Sequence, residues 1–442
     1  MTKDLLARLG RAARKAGRAL LWLLALLLVS HSVWGYVEAR RLERAIAGLR
    51  AQGEPTRWAD LEKTGPAVED VDNAGRFYSA ALDLTVPNAQ PLRQKNPFLA
   101  ALDAGPEEEP IPEQRTAVQA HLERNQVAFD MLDRGSQLSA CRFTGWNEGE
   151  LPPLLPMRVL AELSSLRVGD LAFRGQGRQA LEAWLSLSRF LRIFDGRAPL
   201  MGYLVRLALL DHVSRDVPML LERGALDERD LVRLEETVRD LDRPNAVTEA
   251  LVAERTWGLE SLVGSQCGPS LAVRPGVSVS LDTPFWKHEA VAYIENMRSL
   301  IEVSRQPTPA SLQAAKALRP RGLMPRMVLP SLGRALVADA TAVARLRAAQ
   351  AAVGAARYRL AHGHPPEHLA ELTPAFDAVD PFTGRPLLYR GQPDGFRIYS
   401  TGPDGRDDGG KVEGPQAMDL GLLVRWAPAP KAVGSTPSGP AR

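Results

Sequence analysis

Residues 19–37 read ALLWLLALLLVSHSVWGYV, about 19 positions with no charged side chain, which at 1.5 Å rise per residue span about 30 Å of hydrocarbon. This stretch decides the architecture, because it predicts one membrane-crossing helix near the N-terminus. Before it stand Lys3, Arg8, Arg11, Arg14, Lys15 and Arg18 against Asp4, an arrangement that places this end in the cytoplasm by the positive-inside rule, although Arg40, Arg41 and Arg44 follow closely. Trp34 and Tyr36 suit an interfacial aromatic belt, and VEARRLERAIAGLRAQ continues the helical period beyond them. The rival reading is a cleaved signal peptide with Leu20 to Val29 as its apolar region and Ser30-His31-Ser32 as the cleavage site. The expected order is therefore a basic cytoplasmic end (1–18), a transmembrane helix (19–37) and an extracytoplasmic remainder.

The remainder is expected to fold as two units, since 442 residues exceed what one hydrophobic core serves. A net charge of +3, concentrated in the N-terminal basic cluster, implies no nucleic-acid partner. Two cysteines, Cys141 and Cys267, exclude a disulfide framework and leave one possible bridge between them.

Working outward, 38–112 reads as a juxtamembrane helix followed by irregular sequence, with a short helical piece from Asn73 to Leu84 and an exposed tract GPEEEPIPE. From 113 to 305 the period is helical and the region reads all-α. Its clearest unit is Leu160 to Phe194, an αα-hairpin that turns at Arg174 to Gly177 and carries Ala180, Leu181, Trp184, Leu187 and Leu191 inward. The next helix, Leu200 to Arg223, stops at Gly224, and Asp227 with Asp230 caps another. Hairpins of this kind resemble tetratricopeptide-like repeats, without a steady 34-residue period. Gly264 to Pro284 reads as a loop, and the prolines at 307, 309, 320, 325 and 330 make 306–330 a linker.

Residues 331–427 change character. Ser331 to Leu360 reads as one long helix, and Leu387 to Arg390, Phe396 to Ser400 and Leu422 to Trp426 alternate as strands of a small antiparallel sheet. The fold class expected is mainly α: a transmembrane helix, a hairpin or solenoid-like body, and a small α+β unit, with a disordered tail at 428–442.

Tyr358, Gly363, Pro365, Asp380, Pro381, Gly384, Pro386, Tyr389, Ser400, Gly402, Asp404, Gly405, Gly409, Gly410 and Asp419 fall where the globular part of the major type II secretion pseudopilin carries its helix exit, DP-x-G-x-P and S-x-GPDG motifs. About a quarter of the chain resembles that family, and the whole resembles uncharacterised bacterial single-pass membrane proteins. The resemblance implies a bacterial inner-membrane location and a calcium-binding loop, with Asp404 and Asp419 as side-chain ligands and Asp407 and Asp408 nearby. An ordinary solvated hairpin turn uses the same Asp-Gly composition. The N-terminus lacks the prepilin peptidase signal, and a large helical region separates the anchor from this unit, so filament assembly does not carry over.

Other constellations bear on chemistry. His362, His364 and His368 form H-x-H-x3-H at a helix exit, where polar side chains also suit exposed carbonyls. His288-Glu289 begins like HExxH, but Ala292 occupies the second ligand position. Gly264-Ser265-Gln266-Cys267-Gly268 does not have the nucleophile-elbow spacing. No catalytic residue is singled out. The expected function is that of a non-enzymatic, membrane-anchored interaction or scaffold protein with envelope protein partners; the alternatives are an envelope enzyme with its site in the helical region and an accessory protein of a type II secretion-like system.

Overall fold

Residues 2–62, 68–85, 96–104, 108–143, 154–195, 198–263, 270–274, 277–280, 283–372, 378–412 and 418–425 are described by the structure, a computed structural model. In chain order the helices are α1 (Thr2–Ala51), α2 (Trp58–Glu62), α3 (Ala74–Leu84), α4 (Pro97–Ala104), α5 (Pro112–Arg124), α6 (Gln126–Ser136), α7 (Leu154–Phe173), α8 (Gly177–Phe190), α9 (Leu200–Arg223), α10 (Glu228–Leu241), α11 (Ala246–Val263), α12 (Pro284–Ser304), α13 (Thr308–Ala317) and α14 (Leu323–His362). The strands are β1 (Ser270–Arg274), β2 (Val277–Ser280), β3 (Leu388–Gln392), β4 (Gly395–Ser400) and β5 (Leu420–Arg425). The protein is thus mainly helical, with an N-terminal apolar helix and a three-stranded antiparallel sheet near the C-terminus, ordered β3-β4-β5.

The chain divides into two compact units. The first comprises Met1–Lys63, Val252–Glu302 and Leu318–Ser331. Here α1 runs without a break from the basic cluster through the apolar stretch, and its last turns bring Leu42 and Leu49 against Leu259 of α11 and Ala290 and Ile294 of α12. Polar ties close this bundle. The Tyr293 hydroxyl donates to the Glu254 carbonyl at 3.0 Å, and the Trp58 N–H donates to Glu260 at 2.7 Å. The guanidinium of Arg255, wholly buried, pairs with Glu54. A β-carbon on Gly258 would collide with the Tyr293 hydroxyl, which is why the smallest residue sits at this crossing.

The second unit comprises Thr64–Leu251, Val303–Ala317 and Leu332–Arg442. The expected hairpin is α7–α8, turning through Gly175 at φ 72°. Trp184, Phe190, Phe129, Leu132 and Met157 are fully buried around it, and the Trp184 indole N–H donates to the Val213 carbonyl at 2.9 Å. Apolar burial of this kind contributes about 25 cal/mol per Å² and drives the packing of α7 on α8 and α9. Asn73 caps α3: its Oδ1 accepts from the Gly75 N–H at 2.9 Å and the Arg142 N–H at 2.7 Å. The Leu200–Arg223 helix and the Asp227 cap, which accepts from the Asp230 N–H at 2.9 Å, match the residues read from sequence. In the sheet, Tyr389 faces Ile398 and Phe396 faces Val424 in register.

Three expectations are corrected. Part of Gly264–Pro284 is not irregular, because Ser270–Arg274 and Val277–Ser280 pair as an antiparallel hairpin. Residues 306–330 are not one irregular loop: Thr308–Ala317 and the start of Leu323–His362 are helical, since Pro309 and Pro325 fall in first turns, where a missing N–H leaves no intrahelical bond broken. The long helix accordingly begins at Leu323, eight residues earlier than the expected Ser331. The expected tail, 428–442, and Trp426 lie outside the described residues.

Candidate functional site

The Asp-rich loop follows β4. Ser400 Oγ donates to Asp380 Oδ1 at 2.7 Å, and Asp380 also accepts from the Phe382 N–H at 2.9 Å and the Thr383 hydroxyl at 3.0 Å. Gly402, Gly405, Gly409 and Gly410 all take positive φ, so the chain turns back on itself repeatedly. Asp404 accepts from the Arg406 N–H at 3.1 Å. Asp407 accepts from the Gly409 N–H at 2.9 Å, the Tyr399 hydroxyl at 3.0 Å and Arg390 at 2.8 Å. That N–H, with Tyr399 and Arg390, holds the Asp407 carboxyl below its ordinary range, while burial pushes the Tyr399 phenol up to about 12. Asp419 accepts from the Gly410 N–H at 2.8 Å and from the Asp408 N–H at 3.4 Å. Asp404, Asp407 and Asp419 thus serve as internal caps of a multiple turn.

Of the three histidines, His362 and His364 lie near each other, with ring centroids 6.2 Å apart and both against Tyr358. His362 stacks on Tyr358 at 4.0 Å and its Nδ1 meets the Tyr358 carbonyl, whereas His364 Nδ1 meets the Pro365 carbonyl. Glu371 closes this helix exit, accepting from the His368 N–H at 2.8 Å and the Tyr358 hydroxyl at 2.9 Å. Among the described residues no group of three or more His, Cys, Asp or Glu side chains is placed to hold a metal ion. Cys141 is a half-buried free thiol, and burial raises its pKa to about 12; Cys267 lies outside the described residues. Glu289, the second residue of the HExxH-like start, instead accepts from the N–H groups of Leu323 and Met324 at 3.0 and 2.8 Å and caps α14.

A concentration of buried charge lies in the second unit. Tyr203 and Arg206 of α9 project beside Asp339 of α14, and the Tyr203 hydroxyl donates to the Asp339 carboxylate. Arg206, only 3 % exposed, donates to the Leu241 carbonyl at 3.1 Å. Arg347 reaches Asp242 at 2.8 Å and the Val379 carbonyl at 2.7 Å, and Arg243 joins Asp195 to Glu249. Burial pushes the Asp339 carboxyl up to about 6 against the opposing pull of Tyr203 and Arg206. A crevice of about 210 Å³, counting open solvent, lies along Phe194, Tyr203, Arg206, Arg243 and Glu249, and it is too narrow to seat a water molecule. Nearby in sequence, Asp216 is completely buried. Its Oδ1 accepts from Ser165 Oγ at 2.6 Å, while Oδ2 has no hydrogen-bond partner among the described residues, and burial pushes its pKa up to about 7.

Sequence reasoning missed this network because its partners are distant along the chain; Arg357 reaches Glu228 across 129 residues. Asp216 did leave a signal, since it falls in step with buried Leu209, Val213 and Leu220 of α9. A carboxylic acid on a core-facing stripe marks a group that folds neutral.

Compared with known proteins, the chain matches no family model, no curated protein and no solved structure. What the site can do therefore follows from its geometry. Tyr203, Asp339, Arg206, Asp242 and Arg347 join α9, α10 and α14 through paired charges and carbonyls.

Proposed function

We propose that this protein is a membrane-tethered scaffold whose helical surfaces bind envelope proteins and whose buried charge holds helices together instead of performing catalysis. The observation that carries it is the surface of α1. The apolar window within Lys15–Ala51 has a mean hydropathy of 1.8 and is 0 % buried, with Trp22 77 % and Leu28 68 % exposed. A bare apolar cylinder of this length needs lipid around it. Leu323–His362 also has the length and hydropathy to cross a membrane, but 43 % of its window is buried within the protein, as befits a core helix. The basic residues before the apolar stretch favour a cytoplasmic N-terminus and an extracytoplasmic body in a bacterial inner membrane.

Alkaline extraction of membranes tests the tether. The chain is expected to stay in the pellet at full length; release into the supernatant, or a chain shortened behind Ser32, overturns it. Orientation is read by an impermeant maleimide on a Val127→Cys variant in intact spheroplasts.

The pseudopilin-like reading of the C-terminal part is supported by the mutual bonding of the residues that suggested it. Asp380 joins Ser400, and Asp419 joins the Gly410 turn. On this reading the sheet is a docking module for a secretion-like assembly, and co-purification with such components after crosslinking is its test.

A further inference from the structure

At the end of α14 the chain reverses and gathers two imidazoles. Gly363 takes φ 82°, a left-handed turn, and its N–H donates to the Arg359 carbonyl at 2.8 Å, so the chain folds back and sets His364 beside His362 of the last helical turn. The two ring centroids are 6.2 Å apart, with His362 stacked on Tyr358 and His364 edge-on to the same ring at 5.8 Å. Both histidines are exposed. Glu371 fixes the platform beneath them: its carboxylate accepts from the Tyr358 hydroxyl at 2.9 Å and from the N–H groups of Glu367 and His368 at 2.9 and 2.8 Å.

Hydrogen bonding decides which nitrogen of each ring is free. His362 Nδ1 lies 2.9 Å from the Tyr358 carbonyl, and His364 Nδ1 lies 3.0 Å from the Pro365 carbonyl. A carbonyl only accepts, so in each neutral imidazole the proton sits on Nδ1 and Nε2, at the far tip of the ring, keeps a bare lone pair. Metal-ligating histidines are oriented in this way, with one ring N–H held by a main-chain oxygen and the other nitrogen left for the ion. An ion about 2.0–2.1 Å from each Nε2 places the two ring centroids between about 4.5 Å apart, for ligands at right angles, and about 6.4 Å, for ligands on opposite sides. The observed 6.2 Å lies within that range. The hydrogen bond to Glu371 and the charges of Glu371 and Glu367 raise the Tyr358 phenol, which marks a negative field beside the rings that favours a cation.

We propose that His362 and His364 bind one late first-row divalent cation, copper(II) most tightly, through their Nε2 atoms. Two ligands from the chain leave the remaining positions to water, so the site is open and exchangeable, unlike a closed four-ligand structural site. Affinity rises along the series to copper, whereas calcium and magnesium seek oxygen ligands and do not compete for imidazole. The pair lies in the second unit and does not rest on the tether reading.

The test titrates copper(II), nickel(II), zinc(II) and calcium chlorides separately into the full chain in detergent, purified without a histidine tag, and reads binding by calorimetry. Saturable copper binding is expected, tighter than that of nickel or zinc and not displaced by calcium. His362→Gln and His364→Gln are each expected to lower the copper affinity at least about tenfold, with far-UV circular dichroism matching the parent, whereas His368→Gln is expected to leave it unchanged. Electron paramagnetic resonance of the wild-type copper complex needs no variant and is expected to show coupling to imidazole nitrogen. Absence of saturable copper binding, a spectrum without imidazole nitrogen, or equal affinity in the wild type and the His362 and His364 variants overturns the site. An equal loss in His368→Gln overturns the assignment to the two gathered rings.

Discussion

Replacing Asp216 by asparagine keeps the shape of the side chain and the acceptor for Ser165 while removing the charge. In the folded protein burial raises this carboxyl to about 7, above the ordinary aspartate value of 3.8. A group whose folded pKa is raised binds its proton more tightly in the native state, so stability falls as pH climbs from about 4 to about 7 and stays low above that. At 1.36 kcal/mol per pH unit, about three units amount to about 4 kcal/mol of destabilisation at pH 8, and to less than about 1 kcal/mol at pH 4. The asparagine variant escapes this penalty. Hydrogen exchange of peptides from α7 and α9, compared with wild type at the same pH, reads the local opening energy. At pH 8 the variant is expected to exchange between about 100 and 1,000 times more slowly, and at pH 4 at nearly the same rate. Equal ratios at the two pH values would refute the argument, because they would show that the wild-type group carries its charge at no cost.

Asn73→Ala removes the α3 cap and the bonds to Arg142, including the Nδ2 donation to its carbonyl at 3.0 Å, and is expected to cost about 2–4 kcal/mol by denaturant titration in detergent. Asn73→Asp keeps the acceptor and is expected to lose less. Gly169→Ala would set a β-carbon 2.6 Å from the Phe98 ring and is expected to cost about 1–3 kcal/mol, with at least half recovered when Phe98→Leu is added, read from the same transitions. Arg357→Met leaves Glu235, 6 % exposed, without its inter-helix partner; with Arg357 still touching solvent, a loss of about 1–2 kcal/mol is expected, seen as faster exchange in α10.

What was legible in the sequence was local. The stop at Gly224, the Asp227 cap and the α7–α8 turn depend on residues within a few positions of one another, and each stands where the sequence places it. Prolines misled where position mattered: Pro309 and Pro325 looked like breakers but occupy first turns. The β1–β2 hairpin was hidden because its Gly-, Ser- and Pro-rich surroundings resemble those of any loop. At the Asp-rich loop composition was visible but engagement was not, since only the folded chain brings Asp407 to Tyr399 and Arg390. The buried network of Tyr203, Arg206, Asp339 and Arg347 lay beyond sequence reasoning, because pairs such as Tyr203 and Asp339 meet only after helices separated by 136 residues have packed.

The unbroken course of α1 carries a mechanical consequence. Fifty residues of helix extend about 75 Å, and the last turns are clamped by Leu259, Ala290 and Ile294 with no hinge in between. The helix is then an axle rather than a leash. On the proposed tether reading, any tilt that a thinner or thicker bilayer imposes on its apolar part is delivered as a rotation of the first unit, so membrane thickness would set the direction in which that unit points.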